Sequence, residues 1–237
     1  MITPCRSNER YHRIRDVQEA WLTFYPAERT EPYIAFGTLM SLNEDHLPPG
    51  VGLPRHVGRD GEIVTYVHQG TLAVEDSSGR STLLSAGEFQ RRSTQDDVHY
   101  LERNASRVHP ARVFRIGLPC PSLAPTPGVE QRRFSAADRR GRLCVIASSE
   151  ARDGALRLSQ DTLVLSAFLA TGQHVVHSLS RNRSAWLHVV AGEVLAGGLV
   201  LAAGDGAGFA AEAAASLTAR DESEILLIDL GEQPETS

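Results

Sequence analysis

The sequence predicts an all-β protein: two β-barrel or jelly-roll domains in tandem, with few short helices. Short segments that alternate apolar and polar residues recur along the chain, and strands at such close spacing are typical of sandwiches and barrels. Helical periodicity is scarce, and residues 16–23, DVQEAWLT, are the best candidate for a short helix. One order of strands and turns also occurs twice, which predicts two copies of one β-domain.

Three segments of the first half carry the strand signal. EIVTYVHQG, at 62–70, alternates and is rich in β-branched side chains. GTLAVEDSSGRSTLLSAGE, at 70–88, places two such runs on either side of a Ser-Ser-Gly turn and predicts a hairpin. ARVFRIGL, at 111–118, predicts a further strand.

The second half repeats this order of strands and turns. Residues 184–209 follow the pattern of residues 63–90, and AAGD at 202–205 matches SAGE at 85–88. Two later strands also correspond, ARVFRIGL at 111–118 and SEILLIDL at 223–230. The alternative interpretation is one continuous sandwich in which the turns resemble each other by chance.

A proline-rich segment separates the two copies. Residues 119–135 hold four prolines and no strand pattern, which is typical of a linker. We therefore predict an N-terminal domain over 1–118, a linker over 119–135 and a C-terminal domain over 136–237.

Composition narrows the class of function. The formal net charge of −5 argues against direct binding of nucleic acid, which needs a basic face. The three cysteines, Cys5, Cys120 and Cys144, are widely spaced, which argues against a thiolate zinc site and predicts a reducing cytoplasm. The first ten residues lack the apolar core of a signal peptide, and the most apolar stretch is broken by glycines and acids. We expect a cytoplasmic protein that binds no membrane.

Residues 52–70, GLPRHVGRDGEIVTYVHQG, resemble the first signature of the pirin family, which are bicupins. That signature runs apolar, Pro, x, His-Pro-His-Arg-Gly-x-Glu-x-Val-Thr-Tyr-Val, and ends at Gly. Residues 86–102 then resemble the family's second signature. The matching positions are His56, Arg59, Glu62, Val64, Thr65, Tyr66, Val67 and Gly70, followed by Gly87, Glu88, Gln90 and Glu102.

The resemblance implies a bicupin fold, and its metal site is altered here. Pirins hold a metal, usually iron, with three histidines and a glutamate. Those positions carry His56, Gly58, Tyr100 and Glu102 in this sequence. Gly58 supplies no ligand atom, so the pattern resembles a short bacterial branch of pirin-like proteins with a degenerate site. We expect no bound metal, and the alternative is a single iron or other divalent ion at His56 and Glu102.

A third ligand would come from Tyr100, His99 or His46. Neighbouring residues of a strand face opposite sides, so His99 replaces Tyr100 only across a bulge or a register slip. Without a metal, Glu102 needs a hydrogen-bond partner, because a lone buried carboxylate is costly. Arg59 and Tyr100 are the candidates.

A second metal site, in the C-terminal domain, is not expected. His174 and His177 are three residues apart, and this spacing puts them on opposite faces of a strand. Cys5 and Cys120 are candidates for redox-sensitive thiols, although inert thiols are the favoured interpretation. The predicted pocket of the N-terminal barrel is lined by His56, Arg59, Glu62, Tyr66, His99, Tyr100 and Glu102.

These observations favour a bicupin without catalytic metal that binds a small molecule or a protein partner in a regulatory or stress-related role. We expect a monomer. The alternative is a metal-dependent dioxygenase acting on flavonols such as quercetin, the activity that the resemblance implies if metal binds. A third hypothesis is a metal-independent isomerase or lyase that uses Glu102 and His56 as acid and base.

Overall fold

The computed structural model describes residues 1–24, 35–53, 56–57, 61–76, 79–94, 99–120 and 128–232, with the backbone alone at residues 56, 57, 94 and 99. These residues are almost entirely β-strand, and they divide into two compact units. The N-terminal unit comprises Tyr11–Ala35 and Leu39–Phe134. The C-terminal unit comprises Met1–Arg10, Phe36–Thr38 and Ser135–Ser237. The predicted all-β bicupin fold is confirmed.

The N-terminal unit contains two antiparallel sheets. The seven-stranded sheet has the order β12-β9-β6-β11-β4-β3-β2, and the four-stranded sheet has the order β5-β10-β7-β8. The strands are β2 (Tyr11–Arg15), β3 (Gln18–Leu22), β4 (Ser41–Leu47), β5 (His56–Val57), β6 (Gly61–Gln69), β7 (Thr71–Asp76), β8 (Ser81–Ser85), β9 (Glu88–Thr94), β10 (His99–Asn104), β11 (Ala111–Pro119) and β12 (Val129–Arg133).

The C-terminal unit has the same design. Its seven-stranded sheet has the order β1-β20-β17-β22-β15-β13-β14, and its four-stranded sheet has the order β16-β21-β18-β19. The elements are β1 (Ile2–Cys5), α1 (Ala136–Arg139), β13 (Cys144–Ser148), β14 (Leu156–Arg157), β15 (Thr162–Leu169), β16 (His174–Ser178), β17 (Ser184–Ala191), β18 (Glu193–Ala196), β19 (Leu199–Ala202), β20 (Gly206–Ala210), β21 (Ala214–Ala219) and β22 (Ser223–Leu230). Two 3₁₀ turns, Ser7–Glu9 and Arg152–Gly154, complete it.

The repeat seen in the sequence is a repeat of structure. The turn before β9 is closed by the Glu88 carboxylate, which accepts a hydrogen bond from the Ser85 N–H at 2.6 Å. The turn before β20 is closed in the same way, because Asp205 accepts from the Ala202 N–H at 3.1 Å. Each turn contains a glycine at positive φ, where a residue with a Cβ is strained. The SAGE and AAGD motifs are therefore one turn used twice.

The domain bounds differ from the predicted ones at two places. The first ten residues belong to the C-terminal unit, because β1 pairs antiparallel with β20 about two hundred residues away. The predicted linker over 119–135 contains β12, which pairs with β9 and ends the N-terminal sheet. Residues 121–127 of that segment lie outside the described residues. The edge strand of each large sheet, β12 beside β9 and β1 beside β20, is thus not adjacent in sequence to the strand it pairs with. A local sequence pattern does not reveal such a pairing.

The predicted helix at 16–23 is wrong. Residues Gln18–Leu22 form β3, which pairs with β2 and β4. Gln18 and Ala20 are buried while Glu19 between them is exposed, so the segment follows the two-residue period of a strand. Pairing on both sides outweighs the weak helical preference of so short a segment.

Each unit has its own apolar core between its two sheets. In the C-terminal unit the apolar cluster is large, with Leu187, Leu217 and Leu227 among its fully buried residues. In the N-terminal unit the cluster is smaller and includes Val67, Val113 and the ring of Tyr100. Among the described residues, no helix has the length and apolar character needed to cross a membrane.

Candidate functional site

Charged side chains replace part of the apolar core of the N-terminal unit. Alternation along β11 points Val113 and Arg115 to the same side, and alternation along β10 does the same for Tyr100 and Glu102. Val113 and Tyr100 belong to the apolar cluster between the sheets. Arg115 and Glu102 therefore face each other across the interior, together with Asp45 of β4.

Arg115 is the centre of this group. Its Nε and Nη2 donate to Oε2 of Glu102 at 3.1 and 2.8 Å, and its Nη1 donates to Oδ2 of Asp45. The other Asp45 oxygen accepts from Nε2 of Gln18 at 2.8 Å. The side chains of Arg115, Asp45 and Glu102 are 7%, 6% and 3% exposed, so water screens their charges little. We call Arg115, Glu102 and Asp45 the buried triad.

The two carboxylates of the buried triad keep Arg115 protonated. Burial lowers the pKa of the Arg115 guanidinium, but the charges of Glu102 and Asp45 outweigh burial and hold that pKa above its ordinary value. Arg115 is therefore a permanent cation at the carboxylate of Glu102. The predicted partners of Glu102 were Arg59 and Tyr100; Arg59 lies outside the described residues, and Arg115 provides the ion pair.

A second cation lies beside the triad. The guanidinium carbon of Arg92 is 4.6 Å from the centre of the Tyr100 ring, and its Nη2 donates to Oε1 of Gln90 at 3.3 Å. Arg92 is only 7% exposed. Among the residues that the structure describes, no carboxylate pairs with Arg92. Burial, followed by the charge of Glu102, raises the pKa of Tyr100 to about 12, so its phenol is neutral at pH 7.

Two predicted pocket residues, Glu62 and Tyr66, face the other side of their sheet. Val67 packs in the interior cluster, and its neighbour Tyr66 therefore points away from it. The Tyr66 ring stacks on Phe89 with 4.2 Å between ring centres. Glu62 lies on the same face of β6 as Tyr66, and its carboxylate pairs with Arg91 at 2.7 Å. The prediction placed these two residues by motif and did not apply the alternation of β6.

The predicted metal ligands are brought together only in part. The backbone of His56 in β5 pairs with that of Tyr100 in β10, which puts this residue beside the site. The backbone of His99 pairs with Val57 in the same ladder, and no bulge is seen there. Gly58 lies outside the described residues. His46 of β4 follows the inward-facing Asp45 and contacts Glu44 at 2.9 Å, so it does not complete the site.

The two candidate redox thiols lie in different units, Cys5 in the C-terminal unit and Cys120 in the N-terminal unit. Cys5 is a free, half-buried thiol in β1, and burial together with the charge of Glu9 raises its pKa. Cys120 is also free, with its Sγ 3.7 Å from the hydroxyl of Ser93. A raised pKa reduces the thiolate fraction, which argues against Cys5 as a reactive thiol.

The C-terminal unit shows what the fold places at the equivalent positions. Thr65 pairs with Arg115, and its counterpart Leu187 pairs with Leu227. Val74 pairs with Glu102, and its counterpart Ala196 pairs with Leu217. The ion pair of the N-terminal unit thus occupies the places of two buried leucines. The fold therefore does not require charges at these two positions.

The side chains described at this place do not fit the four-ligand metal site of the resemblance. Oε2 of Glu102 accepts two hydrogen bonds from a cation, and Tyr100 holds its proton. Among the described residues there is no group of three or more histidines, cysteines and acids that could hold a metal ion. A divalent ion would be placed next to the fixed positive charge of Arg115.

Comparison with known proteins identifies the family. The family model described as pirin matches residues 8–117, and the model described as the quercetinase C-terminal cupin domain matches residues 145–230. The chain is 34% identical over 231 residues to a quercetin 2,3-dioxygenase of Escherichia coli strain K12, covering 97% of this chain and 99% of that one. This chain belongs to the pirin family. A pirin-like protein of Caulobacter vibrioides is 33% identical over 195 residues, or 82% of this chain and 84% of that one.

Solved pirin structures agree with this assignment. The crystal structure of YhhW from Escherichia coli superposes with a TM-score of 0.91 at 33% identity, covering 98% of both chains. A second structure, of bacterial pirin YhhW in complex with nickel(II), gives a TM-score of 0.89 at 33% identity and covers 98% of this chain and 100% of that one. A pirin of this fold thus binds a divalent metal.

Sequence reasoning missed Arg115, Asp45 and Arg92. A signal for Arg115 was present, because the alternation of ARVFRIGL puts it on the face of Ala111 and Val113. A charged residue on the apolar face of a strand predicts a buried ion pair or a site. The partner in β4 could not be found from local pattern.

Proposed function

We propose that this pirin-family protein binds a small organic anion in its N-terminal unit without a resident metal, and that it acts by binding rather than by catalysis. The role we propose is regulatory, with ligand occupancy as the signal, in a monomeric cytoplasmic protein. A protein partner that reads this occupancy is part of the proposal.

The observation that carries the proposal is the ion pair of Arg115 with Glu102. Glu102 stands where pirins have their carboxylate ligand, and here two N–H groups of a buried guanidinium hold it. A metal ion at Glu102 would face the charge of Arg115 at short range in a poorly screened interior. Displacing Arg115 from Glu102 would break one of the two ion pairs of this buried cation, which is costly. The guanidinium thus supplies the positive charge that a metal supplies in a metal-bound pirin.

The charge of Arg92 supports an anionic ligand. It is a buried cation whose contacts in the described residues are an aromatic ring and an amide. A buried charge of this kind is stabilised by an opposite charge, and a guanidinium matches the planar geometry of a carboxylate. The phenol of Tyr100 is neutral at pH 7, so it adds no negative charge that would repel an anion.

Benzoate and benzamide test this proposal as a matched pair, since they share a shape and differ in charge. Isothermal titration calorimetry of the full chain is expected to show benzoate binding at least tenfold more tightly than benzamide. Arg92→Leu should remove this preference. Arg103→Leu, on the exposed face of β10, is the control and should leave it unchanged. Equal binding of the two probes, or an unchanged preference in Arg92→Leu, would contradict the proposal.

A second candidate is a metal-dependent quercetin 2,3-dioxygenase, favoured by the name of the Escherichia coli relative and by the nickel(II) complex of YhhW. Oxygen uptake with quercetin, after loading with iron(II) or nickel(II), separates the two candidates. The proposed function predicts equal uptake in the wild type and in Glu102→Gln. Uptake that requires Glu102 would support the dioxygenase and overturn the metal-free proposal.

A further inference from the structure

The C-terminal unit contains a polar pocket of its own. A cavity of about 470 Å³ lies where β15 and β22 of one sheet meet β16 of the other. Its walls include Leu163, His177 and Asp229 from these three strands, and this volume is within the range of small-molecule sites. Leu227 and the rest of the apolar core continue the inward face of β22 beyond Asp229. We call this cavity the mouth pocket.

A hydrogen-bonded imidazole lies in the wall of the mouth pocket. Nε2 of His177 is 2.6 Å from Oδ2 of Asp229, whose side chain is 3% exposed. Nε of Arg183 donates to the other oxygen of Asp229 at 2.7 Å, and its Nη1 donates to Asp161 at 2.6 Å. With Nε2–H donated to the carboxylate, a neutral His177 ring offers Nδ1 as an acceptor. The opposite side of β16 carries His174, which contacts Thr218 at 2.9 Å.

The loops around the mouth pocket are held in defined conformations. Ala151 and Asp153 have φ values of 51° and 54°, in the left-handed region that costs energy for residues other than glycine. The Ser148 hydroxyl accepts a hydrogen bond from the Ala151 N–H at 3.0 Å and fixes the start of this loop. Asn182, in the loop before β17, also has a positive φ of 68°. Both loops thus present a preformed wall.

The charges of the mouth pocket select against anions. Its lining contains four carboxylates, those of Glu150, Asp153, Asp161 and Asp229, and two guanidinium groups, giving a formal balance of −2 with His177 neutral. Both guanidinium groups are already paired, Arg183 with Asp229 and Asp161, and Arg152 with Glu150. The pocket therefore offers a ligand more hydrogen-bond acceptors than donors.

Hydroxyl groups complete the polar lining. Ser148, Ser149, Ser178 and Ser180 all line the mouth pocket, and a serine hydroxyl both donates and accepts. Eleven of the thirteen residues that line the pocket are polar or charged, and such a lining suits a ligand that carries several hydroxyl groups. The negative balance further favours a ligand that is positively charged.

We propose that the mouth pocket is a second ligand site, independent of the N-terminal site, that binds a small polyhydroxylated amine. The ammonium group is neutralised by the pocket carboxylates, and a ligand hydroxyl donates to Nδ1 of His177. Asp229 and Arg183 are positioning residues, because they orient the imidazole and hold it at the wall.

Three sugars of one size and different charge test this proposal: D-glucosamine, D-glucose and D-glucuronate. Isothermal titration calorimetry of the full chain at pH 7 is expected to rank them in that order, with glucosamine at least tenfold tighter than glucuronate. His177→Leu should weaken glucosamine at least tenfold. His174→Leu, on the opposite face of the same strand, is the matched control and should bind as the wild type does.

A second variant keeps the test valid if His177→Leu folds poorly. Ser180 is exposed, so Ser180→Trp should fold normally and block the pocket, again with at least a tenfold loss for glucosamine. Failure of glucosamine to bind the wild type, tighter binding of glucuronate, or unchanged binding in both pocket variants would overturn the proposal. Arg92→Leu is expected to leave glucosamine binding unchanged, which separates this site from the N-terminal one.

Discussion

Removal of Arg115 should destabilise the N-terminal unit strongly. In Arg115→Leu the carboxylates of Asp45 and Glu102, 6% and 3% exposed, lose their common cation. Removing one partner of a buried ion pair costs about 3–5 kcal/mol, because the remaining charge stays buried without compensation. We expect the free energy of unfolding to fall by about 4 kcal/mol, which lowers the melting temperature of this unit by roughly 15 °C. Calorimetry resolves the two units if they melt separately.

Two variants show whether the buried triad is the cause. Arg112→Met, on the same strand, removes one partner of Glu44, which is 5% exposed but keeps His46 at 2.9 Å, so the change should cost only about 1–2 kcal/mol. Arg115→Leu combined with Glu102→Leu copies the buried leucines of the C-terminal unit, and it should regain at least half of the lost stability because the second uncompensated charge is gone. If Arg115→Leu loses no more stability than Arg112→Met, the buried triad is not the cause.

Protonation of Asp45 and Glu102 should reduce the loss of stability in Arg115→Leu. The Arg115→Leu protein holds two buried carboxylates without their cation, and a neutral acid is less costly to bury than its anion. Its stability deficit relative to the wild type should therefore shrink as the pH is lowered from 7 to 5. Thermal melts of both proteins across this range measure the difference, and a deficit that stays constant or grows would contradict the expectation.

Three further predictions concern single residues. Tyr100 should stay un-ionised at pH 10–11 in a 295 nm titration that uses Tyr100→Phe as the reference, because burial and the charge of Glu102 raise its pKa to about 12. The stability that this residue contributes is present below pH 10 and is lost as the pH rises through 12. Cys5 should react with iodoacetamide more slowly than a model thiol at pH 8, by peptide mass spectrometry, since burial raises its pKa; reaction at the model rate would count against this. In urea unfolding, Gly70→Ala should cost at least 1 kcal/mol more than Gly79→Ala. Both glycines have a positive φ, but only at Gly70 would an added Cβ lie 2.6 Å from a backbone oxygen. Equal costs would contradict this difference.

Much of the fold is readable from the sequence because it depends on local pattern. The alternation of 62–70 and 111–118 predicts β6 and β11, and the repeated Gly-acid turn predicts the second unit. The exchange of β1 into the C-terminal sheet depends on a pairing between residues far apart in the chain. Neither the composition nor the periodicity of the first ten residues contains that information.

The sequence predicts some residues of the candidate site and misplaces or misses others. The resemblance placed Tyr100 and Glu102 at the interior, where the structure has them. It also placed Tyr66 there, although the strand period puts this ring on the other face with Phe89. The partner of Glu102 was missed because Arg115 lies outside both signatures, where only its parity along β11 indicated an inward-facing charge.

The metal content of the purified chain decides whether Arg115 or a metal ion is the cation at Glu102. Inductively coupled plasma mass spectrometry after dialysis against iron(II) and nickel(II) is expected to give well below one tenth of a metal ion per chain, unchanged in His56→Ala and Glu102→Gln. Arg115 would then serve as the cation of this site. Close to one ion per chain, lost in both variants, would contradict the account and show that the guanidinium yields its place to a metal.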